Sequence, residues 1–175
     1  VKFGPDGKLY VIIGDAANAS NAQDLTSLAG KILRVDSDGS APSNNPFFGS
    51  GNPNSDKIYS YGHRNSYGFT FHPQTQDLWE SENGPSDNDE INRVIQGGNY
   101  GWPIVGGIAG NPNYIDPLVA FNPVIAPTGI IAIPANSSVY PPVYHNNLLM
   151  AAWNDGTIRH VVLSGASLNQ FGGTS

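Results

Sequence analysis

The sequence predicts an all-β fold assembled from repeated sheet units, and three observations carry that expectation. Glycine (21) and proline (14) make up a fifth of the 175 residues, while charged residues are only 13%. That mixture favours many short strands joined by tight turns over helices. Short apolar or alternating segments recur along the chain between clusters of turn residues. One turn-centred unit also repeats: Phe3-Gly4-Pro5-Asp6-Gly7-Lys8-Leu9-Tyr10 is echoed by Phe71-His72-Pro73-Gln74-Thr75-Gln76-Asp77-Leu78-Trp79. In each copy a proline presets the turn and the chain re-enters a strand. A weaker third copy runs over His145–Trp153, followed by Asp155-Gly156 and a strand over Thr157–Leu163. Repeated β units of this kind point to propeller blades.

The strands expected in order are Leu9–Ile13, Lys31–Val35, Ile58–Tyr61, Gly68–His72, Asp77–Ser81, Glu90–Ile95, Gly129–Ile133, Leu148–Ala152 and Thr157–Leu163. Gln23–Ala29 could form one short helical turn, and no longer helix is expected. Ser37–Ser55 and Gly106–Pro117 are rich in Gly, Pro and Asn and read as long loops. About ten strands amount to two to three blades, whereas a closed propeller needs roughly 4–8. Residues 1–175 are therefore expected to form one partial β-propeller domain. The remaining blades, or other copies, would close the ring. Val1 already lies in a strand-like pattern and no initiator Met is present, which suggests a processed chain or a fragment.

Several partner classes are disfavoured. The net charge is −6 with only eight Lys or Arg and no basic run, so nucleic acid is not expected as a partner. No apolar run reaches the ~18 residues of a membrane span. The absence of cysteine excludes disulfide and thiolate chemistry.

Two loops carry the chemistry. Tyr61-Gly62-His63-Arg64-Asn65 places strong donors between two strands, and Asn83–Glu90 is acidic and turn-rich. Loops of these two kinds at matching ends of neighbouring strands could hold an anionic ligand beside a hard cation. That combination suits a redox cofactor site.

A set of motifs then occurs in a fixed order. They are Gly30-Lys31-Ile32-Leu33-Arg34-Val35 with Asp38-Gly39, Asn45-Pro46-Phe47, Tyr61–Asn65, Leu78-Trp79-Glu80-Ser81-Glu82, Gly84-Pro85, Asp89-Glu90-Ile91-Asn92 and Asn99-Tyr100-Gly101-Trp102-Pro103. On these motifs the chain resembles the glucose/sorbosone dehydrogenase family, the soluble aldose sugar dehydrogenases that use pyrroloquinoline quinone (PQQ). The resemblance covers nearly the whole chain and is strongest from Gly30 to Pro103. It implies a six-bladed propeller of which this chain is about the middle half, and a periplasmic or extracellular location. It also implies PQQ and Ca²⁺ as cofactors, an aldose substrate oxidised to its lactone, and an external electron acceptor.

Residue by residue, the resemblance implies that Arg64 and Asn65 contact PQQ. A guanidinium fork and an amide suit its carboxylates and quinone oxygens. The carbonyls of Gly84 and Pro85 match the ligands of the catalytic Ca²⁺, an ion that accepts carbonyl oxygen readily. Asp89, Glu90 and the carbonyl of Tyr100 match a second, structural calcium site. Asp15 matches the acid that orients the catalytic histidine, which would itself precede Val1. Two positions depart from the family pattern: Asn154 stands where a PQQ-binding lysine is expected, and Asn122 where an aromatic is expected. The alternative function class is a non-catalytic secreted propeller module for carbohydrate binding or scaffolding.

Overall fold

The computed structural model describes residues 1–175 and contains twelve strands in three four-stranded antiparallel meanders. The first sheet is formed by β1 (Lys2–Phe3), β2 (Leu9–Ile13), β3 (Lys31–Val35) and β4 (Ile58–Tyr61), in that spatial order. The second holds β5 (Ser66–Phe71), β6 (Leu78–Glu82), β7 (Asp89–Val94) and β8 (Val119–Phe121). The third holds β9 (Pro127–Ala132), β10 (Leu148–Ala152), β11 (Thr157–Ser164) and β12 (Gln170–Thr174). Each sheet has the form of a propeller blade, so the chain is all-β and a part of a propeller. Helix is limited to 3-10 turns at Ala19–Ala22, Ser55–Lys57 and Pro142–Tyr144. The helical turn expected over Gln23–Ala29 thus falls just upstream, where Asn18 caps it by accepting from the Ser20 amide.

The sequence repeat marks one recurring position. Phe3 ends β1 and Leu9 opens β2, just as Phe71 ends β5 and Leu78 opens β6. The third copy precedes and forms β10, so all three copies sit between the first and second strands of a sheet. Every expected strand is present within one or two residues. A strand before the Pro5 turn was also expected and is β1, so the strands missing from that expectation are β8 and β12. β8 has only three residues and β12 is a mostly exposed, glycine-containing strand, so neither carries a strong hydrophobic pattern.

The chain divides into two compact units. The first, residues 1–66 and 94–116, holds the first sheet. Its central strand β3 is buried at all five positions, including two cations. Lys31 donates to the carbonyls of Asn21, Ala22 and Ala29, at 2.6, 3.0 and 2.8 Å. Arg34 pairs with Asp6 at 2.7 Å and donates to Asn44 and Asn45. These bonds satisfy the buried charges and tie the loops on either side of β3 to the sheet. The segment after β7 runs along β4: Gly97 donates to Tyr59, Tyr61 to Gly98, and Tyr100 to Tyr61, at 2.7–3.0 Å.

The second unit, residues 67–93 and 117–175, holds the second and third sheets, which meet through β6 and β9. Trp79 and Ile91 from one sheet pack with Ile130, Leu148, Met150, Val161 and Leu163 from the other. Trp79 is fully buried. Gly68 allows the close approach, because a Cβ there would lie 2.4 Å from the Thr128 carbonyl.

Candidate functional site

In the first unit, β2 ends at Ile13, and Gly14 leads on to Asp15 in the wall of an open cleft of about 500 Å³. The cleft is lined by Ile13, Gly14, Asp15, Ala16, Ala17, Arg64 and Asn65. The sequence-predicted acid and the predicted anion-binding pair therefore share one wall. Their backbones are joined directly, since the Asp15 amide donates to the Arg64 carbonyl at 2.8 Å. Gly14 eases this approach, since a Cβ there would stand 3.2 Å from that same carbonyl. Ala16 and Ala17 both adopt positive φ (58° and 59°). Left-handed alanines cost on the order of 1 kcal/mol each. The turn they form aims the Ala17 amide at Asp15 Oδ1, 3.0 Å away.

The Arg64-Asn65 step is set up by the residues before it. Gly62 has φ 79°, and a Cβ on it would lie 2.3 Å from Asn99 Oδ1, so only glycine fits. His63, fully buried, bonds Ser60 Oγ at 2.9 Å and stacks on Tyr100 at 4.7 Å. It is part of the packing, while the next two residues turn outward to the cleft. His72 and His160 are likewise buried, beside the Asn146 carbonyl and the Tyr144 ring.

One contributor was not singled out from sequence. Trp102 donates its indole N–H to Asp15 Oδ2 at 2.9 Å, and the Arg64 guanidinium lies over its ring at 5.5 Å. Eighty-seven residues separate Trp102 from Asp15, so no local pattern links them.

In the second unit, Gly84 and Pro85 open a tight turn that returns to β7 at Asp89. The Asp89 carboxylate, 1% exposed, braces it. One oxygen accepts the Gly84 amide at 2.8 Å, and the other accepts the Ile125 and Ala126 amides at 2.6 and 2.7 Å. Both of its oxygens are thus engaged by the backbone. A Cβ on Gly84 would lie 1.9 Å from the Asp87 carbonyl oxygen and 2.9 Å from that of Asn88, so the turn is dense in carbonyl oxygen. Glu90 is buried and accepts from Asn92 at 3.2 Å. Tyr100 belongs to the first unit, where its hydroxyl accepts the Ile95 amide.

Asn154 and Asn122, the two departures from the family pattern, line a second cleft of about 340 Å³ with Phe121, Asp155 and Arg159. Asn154 is tied to the loop before β9, donating its side-chain amide to Val124 at 3.0 Å and its backbone amide to Ile125 at 3.1 Å. Arg159 supplies the cation of this cleft; it pairs with Asp155 and lies over the Phe121 ring.

The glucose/sorbosone dehydrogenase family profile matches residues 1–171. Quinoprotein glucose dehydrogenase B of Acinetobacter calcoaceticus is 38% identical over 131 residues, covering 64% of this chain and 27% of that protein. The PQQ-bound aldose sugar dehydrogenase of Streptomyces coelicolor superposes with a TM-score of 0.82 at 32% identity, over 99% of this chain and 46% of its own. The soluble aldose sugar dehydrogenase of Escherichia coli, in its apo form, gives 0.83 at 28% identity, over 95% and 50%. The chain therefore spans about half the length of these solved relatives, or less. No helix in it is long and apolar enough to cross a membrane. With its sheets, its ordered motifs and a family match over all but its last residues, the chain belongs to the glucose/sorbosone dehydrogenase family.

Proposed function

We propose that this chain supplies the cofactor-holding part of a PQQ- and calcium-dependent enzyme that oxidises an aldose to its lactone. The observation that carries this reading is the cleft where Asp15, Arg64 and Asn65 meet. The donor set fits PQQ: a guanidinium and an amide on one wall can grip carboxylate and quinone oxygens. The Gly84-Pro85 turn fits calcium in its chemistry, being rich in main-chain oxygen and already bent by the Asp89 brace. When bound, PQQ and Ca²⁺ would supply the acceptor for the hydride from the sugar's anomeric carbon, while the anomeric hydroxyl proton would pass to a histidine base.

The chain's own residues bind and orient. Arg64 and Asn65 hold the anionic cofactor, and the carbonyls of Gly84 and Pro85 hold the metal. Asp15 presents a carboxylate that fixes the tautomer and direction of an imidazole. None of the histidines His63, His72, His145 and His160 lines the Asp15 cleft, so in this reading the imidazole comes from outside residues 1–175. An external acceptor takes the electrons, and the enzyme works in the periplasm or outside the cell.

The test uses the full-length protein that contains this chain. Stripped of metal and then given PQQ and Ca²⁺, it should reduce an artificial electron acceptor in the presence of an aldose, and omitting either addition should abolish the signal. No acceptor reduction with any aldose would reject the dehydrogenase reading. That outcome would favour the non-catalytic carbohydrate-binding module, for which the Asn154–Val124 tie at the lysine position is the supporting observation.

A further inference from the structure

We infer that Trp102 is a positioning residue of the Asp15 cleft, with two separable actions: its indole N–H holds Asp15, and its ring holds Arg64. The inference rests on the dehydrogenase reading for its kinetic part.

The Asp15 carboxylate is partly exposed at the cleft mouth, where it could rotate freely. Its two oxygens are instead assigned to different partners. Oδ1 takes the Ala17 amide at 3.0 Å and Oδ2 takes the Trp102 indole at 2.9 Å. An N–H bond to a carboxylate is among the stronger neutral-donor bonds. Two such bonds on opposite oxygens fix the plane of the carboxylate, and so the direction in which it offers its remaining lone pairs. The same indole presents its face to Arg64 at 5.5 Å, within cation–π range. One side chain therefore sets the geometry of both the acid and the cation of the cleft.

Trp102 is itself held firmly. Its amide donates to the Gly62 carbonyl at 3.0 Å, and its carbonyl accepts the Gln23 side-chain amide at 2.7 Å. Gln23 and Asn99 pair through both amide groups, at 3.0 and 2.9 Å, and Asn99 Oδ1 also accepts the Gly101 amide. This ladder ties the loop of Trp102 to the end of the 3-10 turn at Ala19–Ala22. A tryptophan that only filled space would need neither the directed N–H nor the backbone clamp.

The two actions separate by substitution. Trp102→Phe keeps a ring under Arg64 and removes the N–H. In the full-length protein loaded with PQQ and Ca²⁺ it should lower kcat about tenfold while leaving PQQ affinity within about twofold. Trp102→Leu removes both actions and should also weaken PQQ binding severalfold. The decisive readout is a double-mutant cycle. If the N–H acts through Asp15, adding Trp102→Phe to Asp15→Ala should lower kcat no further than Asp15→Ala does alone. Should Asp15→Ala not fold, Asp15→Asn serves in the same cycle, with partial coupling expected because its amide oxygen still accepts.

A second measurement needs no cofactor. In ¹⁵N-indole-labelled apoprotein, the resonance lost in Trp102→Phe should be slow to exchange with solvent and should move when Asp15 is replaced. An active wild type with full kcat in Trp102→Phe, additive effects in the cycle, or an indole signal indifferent to Asp15 would overturn the inference. An inactive wild type whose indole signal still follows Asp15 would instead remove the dehydrogenase reading, and with it the kinetic role, leaving only the contact.

Discussion

The Asp15 cleft and the Gly84–Asp89 turn are ordered in opposite ways. In the cleft the candidate groups are side chains, each oriented by another side chain or a nearby amide: Asp15 by Trp102 and Ala17, Arg64 by the Trp102 ring. In the turn the candidate ligands are main-chain carbonyls, and one buried carboxylate, Asp89, sets their path by accepting amides from Gly84, Ile125 and Ala126. The contrast teaches where each region is vulnerable. Side-chain order in the cleft can be lost piecemeal while the fold survives. Backbone order in the turn leans on Asp89, because removing the carboxylate takes the acceptor from three amides at once.

The two regions therefore predict different failures. Asp89→Ala should be the most damaging change, costing about 3–5 kcal/mol, since it leaves several amides unsatisfied at a buried position. Denaturant unfolding of the full-length protein measures it, and a cost below about 1 kcal/mol would show that the turn is held by something else. Gly84→Ala places a methyl group against the Asp87 carbonyl, 1.9 Å from its oxygen. The turn must then open, and calcium affinity should fall by at least about tenfold at a smaller cost in stability. Calorimetric calcium titration reports that difference; unchanged affinity would move the metal away from this turn.

The first unit offers a pH test of its scaffold, separate from its cleft. Burial lowers the Lys31 pKa to about 8, with the Asp24 charge opposing the shift. An unfolded lysine titrates near 10.4. Between these values the unfolded state binds more protons than the folded one, so the Lys31 contribution makes stability rise with pH through that window. Below pH ~8 the full cost of burying the charge is present. Comparing wild type with Lys31→Met from pH 7 to 10.5 isolates it: the wild type should gain stability relative to the variant as pH rises. A flat difference would mean that Lys31 keeps its ordinary pKa. Least in magnitude should be Asn154→Lys, which restores the cation expected by family pattern in the second cleft and should improve PQQ affinity only severalfold, because Arg159 already lies there.

Legibility in the sequence followed the same divide between local and distant contacts. Most strands, the edge strands β4, β5 and β9 among them, were readable from short apolar or alternating runs, and the Phe-x-Pro repeat marked the same hairpin in successive sheets. Strand β3 was readable although Lys31 and Arg34 are buried in it, because both reach polar partners with long side chains. Strands β8 and β12 were not, since Val119–Phe121 has only three residues and Gln170–Thr174 is glycine-rich. At the site, Asp15 and Arg64-Asn65 stood out by motif, and the fold brings them onto one wall. Trp102 lies in the Asn99–Pro103 motif, where sequence alone assigns it no role. Its meaning depends on a contact between the end of β2 and a loop after β7, which only the tertiary structure supplies.

In the proposed enzyme the wall of Arg64 and Asn65 holds PQQ. Titrating PQQ into the calcium-loaded full-length protein, wild type against Arg64→Ala, tests it most directly. Losing the guanidinium should weaken binding by at least about tenfold, in line with a charge-assisted bidentate contact, while the thermal midpoint of the apoprotein stays close to wild type. Equal affinities in the two proteins would contradict the assignment of this cleft to the cofactor.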